Sequence, residues 1–254
     1  MAEQRTYTGK HSMAEWWGLS EMAESPMLGA YRAFISPGDF VFDIGANRGR
    51  KTWIFRKLGA KVLAVDPLFT FGKEFVPEFH WKFGDDPLVT PFGKAVSDRI
   101  GKTLIVIKQN IPYLSSVDFP WMETSRHKLY YNGNSCVQRE VKTTTLDALI
   151  NIYGIPNFIK VDVEGHEDKA LAGLSTPVNG LNMEFHQDWM PERAIAHVDS
   201  LAWYEWNYCL NTKGQFVAPD WMPSDRLLVW MMPRLEESGP GSWGDLYARR
   251  VDHD

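Results

Sequence analysis

Phe40-Val41-Phe42-Asp43-Ile44-Gly45-Ala46-Asn47-Arg48-Gly49 is the stretch whose reading decides the fold. A short apolar run meets an acid, turns on a glycine and enters residues 50–58, which have a helical pattern closed by Gly59. A strand that turns into a helix in this way opens an α/β unit. Gly45 lets the chain turn sharply, and Gly49 allows close approach at the helix start. Counting from Gly45, a dinucleotide fingerprint would need glycines where Asn47 and Arg50 stand. No P-loop lysine follows either, so the turn suits a ligand without a pyrophosphate.

Working outward, Lys61–Val65, Phe158–Val161 and residues 181–185 are further short apolar runs, of the kind buried on both faces of a parallel sheet. Residues 93–96 form a weaker one. Late strands are expected at 206–210 and 226–231, and an edge hairpin at 104–107 and 137–141. Helical patterns alternate with them. Leu146, Leu149, Ile150 and Tyr153 form one apolar stripe, Thr144 with Asp147 resembles a capping box, and Gly154 and Pro156 supply the stop. Further helices are expected near 191–202 and just after Gly165. We expect one α/β domain over 37–235, a helical N-terminal extension over 1–36 whose segment 14–34 packs on the outside, and a C-terminal tail over 236–254.

Composition narrows the function classes. The chain has 254 residues, of which 44% are apolar and 23% charged, an ordinary globular balance. Lys plus Arg is 27 and Asp plus Glu is 32, a net charge of −5, which argues against nucleic acid held on a basic face. Two cysteines, Cys136 and Cys209, make neither a disulfide framework nor a metal motif and point to a reducing compartment. No apolar run approaches a membrane span, and no apolar signal core follows Met1. We expect a cytoplasmic protein with a small-molecule partner; oligomeric state is not readable.

An acid closes nearly every expected parallel strand: Asp43, Asp66, Asp98 after Ser97, Asp162 with Glu164, and Glu184 with His186 two residues on. In open α/β sheets ligands bind outside the carboxyl ends of the strands, so these groups should meet on one edge. Acids after strands also cap the following helix, but capping explains neither the doubled acids nor the histidine. Asp66 lies 21 residues beyond Gly45, where a carboxylate can accept hydrogen bonds from ribose hydroxyls. A glycine turn and a ribose acid without phosphate chemistry suggest a nucleoside with a small charged group. S-adenosylmethionine fits.

With these blocks, the chain resembles the FkbM family of S-adenosylmethionine-dependent methyltransferases. The resemblance rests on Phe42–Gly49, Ala64-Val65-Asp66-Pro67, Ala95-Val96-Ser97-Asp98, Thr143–Asp147, Met183-Glu184-Phe185-His186 and, most specifically, Lys160-Val161-Asp162-Val163-Glu164-Gly165. It implies a Rossmann-like class I methyltransferase fold, with a mainly parallel seven-stranded sheet whose last strand is antiparallel. It also implies that Asp43, Gly45 and Gly49 line the methionine end of the donor, with Asn47 also among the donor-binding residues, that Asp66 holds the ribose, that Ser97 and Asp98 lie near the adenine, and that Asp162 sits beside the donor and faces the acceptor pocket. Family acceptors include sugars and natural products.

Methyl transfer to a hydroxyl needs alignment, exclusion of water and a base for the departing proton. His186 is the first candidate for the base, because imidazole titrates near neutral pH; Asp162 and Glu184 come next, and His166 could also face the pocket. Asp162, Glu164, Glu184, His186 and Asp188 offer ligands for a divalent ion, but no tight ligand motif occurs, so no metal is assigned. Trp121, Trp189, Trp203, Trp206 and Trp221 could build an aromatic acceptor face, although core packing explains most tryptophans better. Tyr113, Ser115 and Ser116 fall in an irregular stretch that reads either as a substrate lid or as an ordinary surface loop. The competing functions are an NAD or nucleotide-sugar oxidoreductase, a two-carboxylate carbohydrate hydrolase and a nucleoside sensor without catalysis.

Overall fold

The computed structural model describes residues 27–108, 112–123, 136–211, 213–239 and 241–251. In chain order the strands are β1 (Phe40–Ile44), β2 (Lys61–Val65), β3 (Val89–Phe92), β4 (Ala95–Val96), β5 (Gly101–Lys108), β6 (Cys136–Thr144), β7 (Phe158–Val161), β8 (Gly180–His186), β9 (Tyr204–Leu210) and β10 (Trp243–Arg250). The α-helices are α1 (Met27–Arg32), α2 (Arg50–Lys57), α3 (Pro77–Phe83), α4 (Phe119–Met122), α5 (Leu146–Tyr153), α6 (Glu167–Ala172), α7 (Glu192–Leu201) and α8 (Ser224–Glu237). Seven strands make the main sheet in the order β3-β2-β1-β7-β8-β10-β9. β10, the last in the chain, runs antiparallel to both neighbours, while the pairs among β3, β2, β1, β7 and β8 are parallel.

Alternation along each strand sends side chains to two separate cores. Phe42, Ile44, Ile159, Val161, Leu181 and Met183 pack under α5, α6, α7 and α8. Val41, Val62, Ala64, Phe158 and Tyr247 face α1, α2 and α3 on the other side. Both faces are covered, so the strands read as continuous apolar runs. The order reverses between β1 and β7, and their carboxyl ends open the crevice in which doubly wound sheets bind ligands.

Several local expectations change. Residues 226–231 lie in α8, because Leu227, Met231 and Leu235 are buried at a spacing of four while Val229 between them is 78% exposed. An apolar run of that length does not by itself distinguish strand from helix. The expected tail over 236–254 supplies β10 instead: Leu246 and Ala248 enter one core and Tyr247 the other. Its polar ends and Asp245 disguised a strand buried on both faces. Residues 95–96 leave the main sheet, whose edge strand beyond β2 is β3. They pair with β6 beside β5 in a separate three-stranded sheet, which also takes in the expected edge hairpin. Thr145 rather than Thr144 caps α5, accepting from the Ala148 N–H at 3.1 Å. Of the expected N-terminal helix, residues 14–26 lie outside the described residues. α1 is not external, for Tyr31 is fully buried and meets Phe55, Phe158 and Tyr247 edge-on.

Candidate active site

The glycine turn is built from backbone first. Gly45 (φ +77°) and Ala46 donate their N–H groups to the Val65 carbonyl at 2.8 and 3.1 Å, tying the end of β1 to the end of β2. A Cβ on Gly45 would stand 1.8 Å from the Asp162 carbonyl oxygen, so only glycine lets β7 pass this close. Asn47 adopts φ +50°, a conformation its type tolerates, and donates its N–H to Asp66 Oδ2 at 2.8 Å. The Leu68 N–H donates to Oδ1 of the same carboxylate at 2.8 Å. Asp66 is therefore a cap for the following turn and a clasp on the glycine turn, and it also lines the cavity above. Burial pushes its carboxyl up to about 6, against the pull of the Leu68 and Asn47 amides.

Beneath the crevice runs a polar row set by strand register. Asp43 lies opposite Lys160, and Lys160 opposite Asn182. The Lys160 ammonium is 1% exposed. It stands 3.3 Å from Asp43 and 3.4 Å from Asp162, and donates to the carbonyls of Ile44 at 3.2 Å and Gly45 at 2.8 Å. Burial opposes its charge, but the Asp162 and Asp43 carboxylates hold it above the usual lysine range. Asp43 also accepts from the Thr52 hydroxyl. Alongside, the Asn182 amide donates to Asp245 at 3.0 Å, and Lys51 stands 3.6 Å from Asp245.

The opposite wall carries Asp162, Glu164, Glu184, His186 and Asp245. Glu164 (φ +56°) and Gly165 (φ +93°) turn the chain after β7. This turn is clamped from outside: the Ser116 hydroxyl donates to the Glu164 carbonyl at 2.6 Å, the Trp189 indole donates to the Gly165 carbonyl at 3.2 Å, and Trp121 fills the space a Gly165 Cβ would need. His186 Nε2 stands 3.2 Å from Glu184 Oε2. Burial raises the Glu164 carboxyl well above its ordinary range, reinforced by Glu184, Asp162 and Glu167; burial and Asp162 raise Glu184. Donor atoms of Glu164, Glu184 and His186 lie within 4.8 Å of one another, a set whose oxygen and imidazole chemistry suits a divalent ion.

Glu167 opens α6 and accepts the Val163 N–H at 2.9 Å, while burial and then Glu184 push its carboxyl up to about 8. In the folded chain it holds its proton far more strongly than the ordinary 4.5, so its contribution favours folding at low pH and is lost as pH rises through about 8. Glu167→Gln keeps the acceptor oxygen and removes the ionisation. We expect it to melt higher than the parent above pH 8 and within a degree or two of it near pH 5. Thermal melts across that range check this, and a variant that melts lower at pH 9 contradicts it.

The residues expected in the site divide clearly. Gly45, Asn47, Asp66, Asp162, Glu184 and His186 all line one cavity of about 700 Å³, within the range of small-molecule sites. Asp43 does not line it; the residue is fully buried and reaches the crevice only through Lys160. Strand register put it below the floor. Gly49 does not line the cavity either, and its Cα packs on the rings of Phe79 and Phe83. Ser97 and Asp98 stand behind the wall. Ser97 Oγ is 3.1 Å from His166 Nε2, and His166 Nδ1 is 3.5 Å from Asp118, so His166 lines the cavity with both ring nitrogens already facing neighbours. Asp188 is outside the three-residue donor set. Trp121, Trp189, Trp203, Trp206 and Trp221 do not line the cavity; Trp121 and Trp206 are fully buried core residues. Trp243, in the expected tail, does line it. Ser115 lines it, Ser116 is pinned between β5 and Glu164, and the Tyr113 side chain lies outside the described residues. Lys160, Lys51 and Asp245 were missed. A lysine inside an apolar strand, beside two strand-end acids, was the available signal for the first of them.

A doubly wound sheet with one antiparallel strand, a glycine turn without a pyrophosphate fingerprint and an acid at the end of β2 defines the Rossmann-like class I methyltransferases. Residues 43–208 match the methyltransferase FkbM domain. The chain belongs to that family. No curated protein matches it in sequence. Among solved structures it is similar to a methyltransferase FkbM from Methylobacillus flagellatus, at 14% identity and a TM-score of 0.48 over 86% of this chain and 49% of that one. The chain thus spans about half the length of that protein. It is also similar to a precorrin-6y C5,15-methyltransferase from Geobacter metallireducens (10% identity, TM-score 0.45, covering 97% of this chain and 93% of that one). A third is a TehB-like SAM-dependent methyltransferase from Corynebacterium glutamicum (12% identity, TM-score 0.43, 93% and 96%). The fold assignment stands on the strand order and the family match, independently of these likenesses. Among the described residues, no helix is long and apolar enough to cross a membrane.

Proposed function

We propose that the protein is an S-adenosylmethionine-dependent methyltransferase acting on a hydroxyl of a small molecule, a sugar or natural product. One observation carries this reading: the glycine turn with Asp66 and the group of Asp162, Glu184 and His186 line the same cavity. The residues suit the donor chemically. Asp66 keeps lone pairs beyond those its two amide partners use, as a ribose-binding acid must. Gly45, Asn47 and Asp162 would border the amino-acid end, and a cationic sulfonium beside five acids, Asp66, Asp162, Glu164, Glu184 and Asp245, would favour the ionised forms that burial disfavours in several of them. When bound, S-adenosylmethionine supplies an electrophilic methyl group on that sulfonium.

The chain's own part is to align the acceptor oxygen, exclude water and take a proton. His186 would receive the hydroxyl proton as the carbon–oxygen bond forms and the carbon–sulfur bond breaks. Glu184, 3.2 Å from Nε2, would stabilise the resulting imidazolium. Asp162, which is 25% exposed, would orient the acceptor. A methyl-transfer assay over a panel of sugars and natural products, paired with calorimetry using S-adenosylhomocysteine and NAD, tests the reading. Tight NAD binding with no S-adenosylhomocysteine binding would replace it with an oxidoreductase; donor binding with no transfer to any acceptor would favour a sensor. With an acceptor in hand, His186→Gln should lower kcat by about 10²–10⁴-fold and leave S-adenosylhomocysteine affinity within a factor of a few. Unchanged kcat would remove His186 as the base.

A further inference from the structure

The buried lysine beneath the crevice has more contacts than neutralisation requires. A buried ammonium must find acceptors for all three of its N–H groups, but these need not lie at the ligand cavity: a Lys160 that only balanced Asp43 could take them from the core around it. Instead it also donates to the carbonyls of Ile44 and Gly45 and stands 3.4 Å from Asp162. Ile44, Gly45 and Asp162 line the cavity; Asp43 does not. The ammonium therefore joins the two sides of the switch point: the turn leaving β1 and the acid leaving β7. The ammonium thus holds two carbonyls of the turn by hydrogen bonds and two carboxylates, 3.3 and 3.4 Å away, by charge, so the four oxygens are gathered around one point.

We propose that Lys160 is a positioning residue for the amino-acid arm of the donor. It holds the Gly45 turn and the Asp162 carboxylate at one fixed separation. This rests on the donor placement argued above. The nucleoside end is held elsewhere, by Asp66 at the tip of β2, which lies one strand farther from Lys160. Losing the ammonium should thus affect the arm and spare the nucleoside. An apolar residue at 160 would leave the Gly45 carbonyl without its donor and Asp162 free to turn away from the cavity, although the strand itself could still form.

Lys160→Met alone leaves Asp43 as an unpaired buried charge and is expected to destabilise the fold strongly. Lys160→Met combined with Asp43→Asn removes both charges, and should melt within several degrees of the parent. In this double variant, calorimetry with two probes separates positioning from general damage. S-adenosylhomocysteine carries the amino-acid arm; 5′-methylthioadenosine has the same nucleoside and thioether without it. We expect S-adenosylhomocysteine to bind at least tenfold more weakly than to the parent, and 5′-methylthioadenosine to bind within about twofold. Equal loss of both probes, or loss of neither, overturns the positioning role. A parent protein that binds neither probe overturns the donor assignment itself, a distinct result visible before any substitution is made.

Discussion

Gly45→Ala should melt roughly 5–15 °C below the parent and bind no measurable S-adenosylhomocysteine. Two costs combine. The φ of +77° is unfavourable for any residue with a Cβ, by about 1–2 kcal/mol. The added carbon would also fall 1.8 Å from the Asp162 carbonyl oxygen, which is backbone just past β7, in a residue whose N–H is tied to the Ile44 carbonyl at 3.1 Å. Relief requires the ends of β1 and β7 to part, an overpacking cost of about 1–3 kcal/mol. In a chain of this size each kcal/mol lowers Tm by roughly 2–4 °C. Gly239→Ala, at the end of α8, is the control, because Gly239 has φ +94° but no atom within 4 Å of the added carbon. It should lose only the conformational part and leave binding intact. If the two variants melt alike, the close approach of β7 to the glycine turn is not what requires Gly45.

Asp66→Asn should weaken S-adenosylhomocysteine binding by about 10²-fold or more, and 5′-methylthioadenosine by a similar factor. Hydrogen bonds to a charged acceptor contribute about 1.5–3 kcal/mol each, and two ribose hydroxyls would share this carboxylate. The amide keeps an oxygen for one of the Asn47 and Leu68 N–H groups, so the turns survive better than in an alanine variant. A pH signature accompanies the loss. With the folded carboxyl at about 6 against an ordinary 3.8, the unliganded chain binds this proton more tightly than the unfolded one. The group therefore favours folding below about 3.8, and that contribution is lost as pH rises to about 6. Ligand affinity runs the other way. The ionised form accepts the hydroxyls, so parent affinity should fall as pH drops below about 6, while Asp66→Asn stays flat. Calorimetry between pH 5 and 8 measures both, and a parent curve as flat as the variant's would remove Asp66 from the ribose.

The glycine turn, Asp66, Asp162, Glu184 and His186 were legible because each sits at a junction that sequence marks locally: an apolar run, an acid, then a glycine or a helix start. The misplacements share a cause. Residues 226–231 form a helix rather than a strand because a short apolar run fits either period and packing selects between them, with Val229 left to solvent in α8; residues 243–250 form a strand rather than a tail because only packing, with Tyr247 against Tyr31, reveals a strand whose ends and Asp245 are polar. Asp43 was placed at the ligand because a strand-end acid is the same word in sequence whether it points over the edge or into a face. Ser97 and Asp98 followed β4 out of the main sheet into the smaller one, and so fell behind His166.

The alternation of β1, β2, β7, β8 and β9 with α2, α5, α6 and α7, the missing pyrophosphate fingerprint and the gathering of acids at one edge were legible in the amino-acid sequence itself, because period, punctuation and residue type act over a few neighbouring residues. Tertiary structure alone decided which acid meets the cavity and which lies beneath it. Asp43 and Lys160 are 117 positions apart and become partners only when β1 and β7 pair in register, and the charge at the floor of the crevice follows from that one juxtaposition.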